Sequence, residues 1–445
     1  MPSQRIIMKT VASAALALAV AAHAAEGQST RAAKDHHERG LAPRQWGELE
    51  RAIAEFDKAL ELNPGLAVGW CNRGVAYYLK GDLERAMADF DRAIKLDPRH
   101  RAAYYNRGNL FQSQGEMDRA MADFNRAIEL NPRYAEAYIN RGRIRHDRGD
   151  VDSALADYSR AIKYSSRSSL TSSSGSYLVS STNPVLAVAY NDRGLVYRDK
   201  GNMKRALDDF DRALEADPRL AVGYANRSSV RFQGGNARGA MEDAERALML
   251  DPQLSGGWNI RGLLRLRAGD TDAALADFDR AIELDPRNVE ARFNRGNAWM
   301  DSGRYEEALA DYNQAIELAP HDMRPWFNRG NCRYSKGDYP GAISDYTRAI
   351  ELDPRNAIAY SNRGNARRAS GDLAGAMNDY DQGISFDPQC ALAFLNRGIG
   401  HLQQGREAAS AADFDQCLKI DPTLRSELEA VVGEARRGLG GRLKR

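Results

Sequence analysis

Proline recurs at a fixed interval. Pro64, Pro98 and Pro132 are 34 residues apart, and so are Pro184, Pro218, Pro252, Pro286, Pro320, Pro354, Pro388 and Pro422. One step, Pro132 to Pro184, is 52 residues, a period plus 18. Proline has no amide hydrogen and stops a helix, so a chain punctuated this way reads as an array of short equal units. Its 445 residues would otherwise suggest about three domains. With Ala67 as position 1 and Pro98 as position 32, units start at Ala67, Arg101, Ala135, Ala187, Ala221, Ser255, Val289, Met323, Ala357 and Ala391. A weaker unit starts at Ala33, which makes eleven over residues 33–424.

Each unit predicts two helices. In the first complete one, Ala67–Lys80 presents Trp70, Gly74 and Tyr77 at helical spacing. Gly81 breaks the helix, and Asp82 is a good N-cap for the next. That second helix carries Ala86, Met87, Phe90, Ala93 and Ile94 on one stripe. Small Gly74 and Ala86 let the pair approach closely, and Phe90 fills the space between units. One hairpin cannot bury such a stripe alone, so the units must stack.

The pattern Trp70-x-x-Arg73-Gly74-x-x-Tyr77, Ala86-x-x-x-Phe90-x-x-Ala93, Pro98 resembles the tetratricopeptide repeat, and it recurs in register over about nine-tenths of the chain. Position 4 is aromatic in every unit from Ala67 onward except at Arg292; position 8 is glycine except at Ser228; position 24 is aromatic except at Ala244. Ser410 replaces the usual alanine at position 20. The resemblance implies an all-α, right-handed solenoid. Residues 33–66 form a half-degraded N-terminal repeat, since Pro43 stands at position 11 while Gly47–Leu60 reads as a normal second helix. Repeats then occupy 67–100, 101–134 and 135–164, and seven more run from 187 to 424. Between them, Ser165–Thr182 is an insertion with ten serines, read as a solvated loop or, through Tyr177, Leu178 and Val179, as a docking segment. Residues 425–445 are expected to hold a capping helix, with Leu428, Val431, Val432 and Leu439 on one face.

Arginine holds position 7 in all ten units from Ala67 onward and aspartate holds position 23, where the family is commonly apolar. Joint replacement points to a paired ladder inside the stack, because the guanidinium fork matches a carboxylate. The alternative is an anion-binding track.

Composition removes other classes. Charged residues are 28% and hydrophobic residues 43%, unlike a disordered chain or a membrane bundle. The formal charge of +2 falls to zero without Arg5 and Lys9, which leaves no footprint for nucleic acid. Met1–Ala24 has a basic start, an apolar run and Ala22-His23-Ala24, the layout of a cleaved secretory signal. Residues 25–32 would be a flexible lead-in. A bacterial, periplasmic protein without stable membrane insertion is expected. Four scattered cysteines give neither a disulfide scaffold nor a CxxC pair. No phosphate loop, zinc-protease helix, serine elbow or dinucleotide loop occurs, and His36-His37-Glu38 reads as a solvated helix start. A catalytic site, metal or cofactor is therefore not expected.

In this family the first helices line a concave groove, with positions 2, 5, 6, 9, 12 and 13 facing inward. Position 6 is asparagine at Asn72, Asn106, Asn140, Asn226, Asn294, Asn328, Asn362 and Asn396, Asp192 at one unit and Ile260 at another. Such a row is similar to the asparagine ladder in the solenoid of O-GlcNAc transferase, and amides can pair with an extended peptide backbone. The other reading is an amide bonded to local backbone. Phe293, Met300, Phe327 and Tyr334 add apolar surface, with Asn297 and Asn331 beside them. Positions 2 and 5 carry no lysine, which disfavours a two-carboxylate clamp for chaperone tails. The expectation is a binding scaffold for an extended protein or peptide segment. The alternative is a structural subunit of an envelope secretion, pilus or polysaccharide-export assembly. The oligomeric state is not read from the sequence.

Overall fold

A computed structural model describes residues 49–168, 182–426, 428–430 and 432–433. Among these residues 21 α-helices are delimited, packed as consecutive antiparallel pairs with no strand. The arrangement is an all-α solenoid of stacked hairpins.

The local reasons repeat from unit to unit. In the first hairpin, Ala67–Lys80 is followed by Leu83–Leu96. Asp82 caps the second helix by accepting from the Arg85 amide, and Asn202, Asn236, Asp270, Asp338 and Asp372 do the same in later units. The turn between them needs a left-handed residue. Gly81 has φ 91°, and glycine takes positive φ at the same position in all ten units, up to Gly405.

Close approach within a hairpin rests on position 8. A Cβ added to Gly74 would lie 2.7 Å from Cε1 of Phe90, whose ring is fully buried. The one unit with serine there explains itself. Ser228 faces Ala244 in place of a ring, and its hydroxyl donates to the Ala240 carbonyl at 2.7 Å. The two sequence exceptions are one compensated pair. Position 4 behaves similarly. Trp70, Trp258 and Trp326 donate from the indole to the carbonyls of Pro64, Pro252 and Pro320, and Arg292 donates to Pro286 from its guanidinium. Arginine thus replaces the aromatic ring and keeps the bond that ties a first helix to the preceding proline turn.

Two compact bodies divide the chain, one through Ile260 and one from Arg261. In the first, buried clusters run from Ala52 and Phe56 through Phe90 and Phe124 to Tyr158 and Val196, with a smaller one around Phe210. In the second, clusters gather around Phe278, Tyr312, Tyr346 and the Phe394–Cys417 region. The first described helix is Leu49–Leu62; it runs two residues past the expected end at Leu60, and the expected start at Gly47 lies outside the described residues. Helix Val151–Ser168 runs past Tyr164, where the repeat was expected to end, and the next helix starts early, at Pro184. Asn183 caps that helix and also donates to the Ser165 carbonyl at 3.2 Å. Residues from both margins of the insertion are therefore built into helices and their cap. At the far end Leu428 is buried and Val432 packs against the last hairpin, as a capping segment requires. The expected signal segment and lead-in, the expected first helix of the degraded repeat, Tyr177–Val179, Val431 and Leu439 lie outside the described residues.

Candidate functional site

The arginine at position 7 is structural. Nε and Nη2 of Arg73 donate to both oxygens of Asp89, each at 2.8 Å, and Nη1 donates to Asp57 of the preceding unit at 2.7 Å. Arg295 repeats this with Asp311 and Asp279, Arg329 with Asp345 and Asn313, and Arg363 with Asp379 and Thr347. Each of these guanidinium groups closes its own hairpin and joins it to the one before. The hydrogen bonds that Arg295 donates to Asp311, opposed by burial, hold its guanidinium above the ordinary arginine range. The arginines point into the stack, so the reading as an anion track is set aside.

A second arginine joins in half the units. Arg145, Arg231, Arg265, Arg333 and Arg367, all at position 11, reach Asp157, Asp243, Asp277, Asp345 and Asp379 at 2.7–2.9 Å. Where position 11 is aromatic, an arginine at the start of the second helix lies over the ring instead: Arg119 over Phe111 at 3.9 Å and the N-cap Arg304 over Trp299 at 4.0 Å. Sequence reading missed this alternation, although Arg or an aromatic residue at position 11 was visible.

The asparagines at position 6 bond across units. Nδ2 of Asn140 donates to Asn109 at 2.6 Å and to the Tyr105 hydroxyl at 3.3 Å. Asn226 donates to Asn191, Asn328 to Asn297, Asn362 to Asn331 and Asn396 to Ser361, all at 2.8–3.1 Å; Asn106 reaches the Cys71 sulfur at 3.6 Å. Asn72 and Asn294 are buried. The amide donors seen here bond neither local backbone nor empty groove. They bind the side chain at position 5 or 9 of the preceding first helix.

In the second body this row becomes a network. Asn297, Asn331 and Asn365, at position 9, accept from the hydroxyls of Tyr312, Tyr346 and Tyr380 at 2.7–2.8 Å. Asn297 and Asn331 also accept from Asn328 and Asn362, so each binds two elements. The signal was legible. Tyrosine replaces phenylalanine at position 24 only at Tyr158, Tyr312, Tyr346 and Tyr380, and position 9 of those units is always polar: Arg143, Asn297, Asn331, Asn365.

The expected apolar residues are half-buried. The Phe293 ring lies 6.3 Å from that of Tyr312, with Arg324 over its other side at 5.1 Å. Phe327 meets Tyr346 at 5.8 Å, Tyr334 meets Tyr339 at 5.5 Å, and Met300 receives the Tyr312 hydroxyl at 3.8 Å. In this body the first helices Val289–Asp301, Met323–Ser335, Ala357–Ala369 and Ala391–Gln403 pack side by side, so these groups share one face. Burial pushes the Cys71 thiol up to about 12 and Cys332 to about 11, so both are unreactive packing groups. All four cysteines are free, and no described cluster is placed to hold a metal ion. No described helix is long and apolar enough to cross a membrane.

Family models described as tetratricopeptide repeat match residues 67–100, 102–134, 124–156, 187–220 and 261–323, and one described as TPR repeat matches 40–81, 330–367 and 364–405. The chain belongs to the tetratricopeptide repeat family. The match from residue 40 takes in residues 40–66 of the first repeat, the one that carries Pro43. No curated protein matches the sequence. Among solved structures, this tetratricopeptide repeat chain is similar to the APC/C heterotetramer Cut9–Hcn1, with 15% identity over 92% of this chain and 96% of that one and a TM-score of 0.50. Yeast Tom70 has 17% identity over 92% and 96%, with a TM-score of 0.41. YrrB, titled a TPR protein with an unusual peptide-binding site, has 23% identity over 41% of this chain and 95% of that one, with a TM-score of 0.35. These likenesses concern the fold. As a family, tetratricopeptide repeat proteins are generally non-enzymatic interaction scaffolds.

Proposed function

We propose that this interaction scaffold binds an extended segment of a protein partner on the first-helix face of its second body. The observation that carries the reading is the juxtaposition of Phe327, Asn331 and Tyr334 on one helix with neighbours in parallel on either side. Each is partly exposed, and each is held in place by a tyrosine or an asparagine of an adjacent element. Fixed polar and aromatic groups lose little freedom on binding, so weak contacts accumulate along the row. The position-6 amides contribute by fixing the spacing of these helices.

A photo-crosslinking residue in place of Ser335 or Gln403, on the first helices, is compared with one at Gln314 or Glu351, on the second helices. Crosslinks from Ser335 and Gln403 to one continuous stretch of a partner support the groove. Crosslinks confined to Gln314 and Glu351 favour a structural subunit of an envelope assembly in its place. The layout of Met1–Ala24 supports export to a bacterial periplasm before either role; an intact mass that starts at Ala25 tests that step.

A further inference from the structure

The first helices Met323–Ser335, Ala357–Ala369 and Ala391–Gln403 contain seven arginines and no aspartate or glutamate. Six of the seven have carboxylates. Arg329 and Arg333 share Asp345, Arg363 and Arg367 share Asp379, Arg397 takes Asp413 and Asp381, and Arg324 takes Glu290 and Asp322. Arg368 has no carboxylate among the described residues, and its buried Nε has no hydrogen-bond partner. Its guanidinium meets the Tyr380 phenol, which burial pushes up to about 12 against the charge of Arg368 and the hydrogen bond between the two.

On the same helix, Ile358, Ser361, Asn365 and Arg368 follow at steps of three, four and three, which places them on one face. Ile358 is 54% exposed, and Leu392, at the equivalent position of the adjoining first helix, is 46% exposed. Among the described residues only four large hydrophobic side chains are exposed, and these two are the only pair at equivalent positions of neighbouring units. In the two preceding units the equivalent residues are Glu290 and Arg324, which pair with each other. The rim therefore changes from a closed ion pair to open aliphatic surface, and a cation without a carboxylate lies further along the same helix face. Ten residues of helix separate Ile358 from Arg368, about 15 Å. An extended chain covers that in four or five residues.

We infer that this patch anchors a partner segment in which an aliphatic residue lies four or five positions from an aspartate or glutamate. The aliphatic side chain covers Ile358 and Leu392, and the carboxylate answers Arg368, where the helices themselves supply no acid. This rests on the proposed groove and gives it a partner chemistry. It also moves the anchor beyond the Phe293–Tyr334 stretch, whose rings already pack within the fold.

The test uses the full chain and three labelled extended peptides of about ten residues. One carries Leu-Ile and an aspartate five residues on, one has that aspartate replaced by asparagine, and one has Leu-Ile replaced by serines. The first should bind at least about tenfold more tightly than either control. Arg368→Gln should reduce it to the level of the asparagine peptide, and Ile358→Ser with Leu392→Ser to that of the serine peptide. Ile358 and Leu392 are exposed and Arg368 has no ion pair to lose, so melting should move little, and circular dichroism checks it. Equal affinity for the three peptides, or binding indifferent to the variants, overturns the anchor. A concentration-dependent dimer lost in Leu392→Ser overturns it too and assigns the patch to a second copy. If crosslinks still arise from Ser335 and Gln403, the groove stands without this anchor; if they do not, the groove itself has failed.

Discussion

The junction at the insertion and the stack from Val289 to Gly371 solve one problem with different chemistry. Both must fix a first helix against the one before it. In the later units an amide does so, with Asn328 donating to Asn297 and Asn362 to Asn331, each acceptor also held by a tyrosine hydroxyl. At the junction the amide becomes Asp192 and its partner Arg143, with Nε to Oδ2 at 2.6 Å, and Asn191 supports Asp192 at 3.2 Å. Arg143 also donates to Asn140 of its own helix. The junction is where 18 extra residues interrupt the period, so the chain itself constrains register least there. A charge pair restores directionality that the interrupted connection does not supply.

The largest effect should come from the acid ladder common to both regions. Asp157 is fully buried and takes Arg141, Arg145 and Arg160. Asp157→Ala leaves the buried Arg141 without a carboxylate, and Arg145 with it, and should cost on the order of 3–5 kcal/mol. Because repeats unfold locally, hydrogen exchange should rise first in helices Ala135–Asp147 and Val151–Ser168. An unchanged exchange pattern would show the ladder to be dispensable. Asp311→Ala, with one arginine in place of three, should cost less in the same assay.

The comparison itself is broken by Arg143→Leu, which strands Asp192 and should cost about 3 kcal/mol. Arg143→Asn combined with Asp192→Asn recreates the amide pair of the other region and should recover most of it. If the double variant is no better than the single one, the junction needs charge and the two chemistries are not interchangeable. Tyr346→Phe, which removes one donor to Asn331, should cost about 1 kcal/mol by denaturant titration. Phenylalanine fills position 24 elsewhere, so the packing itself survives.

The smallest effect concerns pH. Burial lowers the His401 pKa, against the pull of Asp413, which lies 3.8 Å away. The unfolded chain then binds a proton more readily than the folded one, so stability rises with pH and is lost as pH falls through the ordinary histidine range. His401→Gln should flatten the melting temperature between about pH 7 and pH 5 by a small margin. An identical slope in the variant would remove this histidine from the account.

The sequence alone determined the period, the two helices of each unit, the glycine turns and the matched rows of arginine and aspartate, while which arginine meets which aspartate came from the structure. These follow from local chemistry: proline and glycine restrict backbone angles, and a strict 34-residue spacing puts the same residues in the same place each time. Tertiary structure decided where the side-chain bonds go between units. The asparagines at position 6 were visible as a row, but their direction, back to Asn297, Asn331 or Ser361, depends on the distance between stacked helices, which no single unit contains. The same holds for the third arm of the arginines, which lands on Asp279 in one unit and Thr347 in another, and for Arg292, which breaks the aromatic pattern yet keeps the bond to the preceding proline carbonyl. Local spacing fixes what a residue is; only the packed neighbour fixes what it meets.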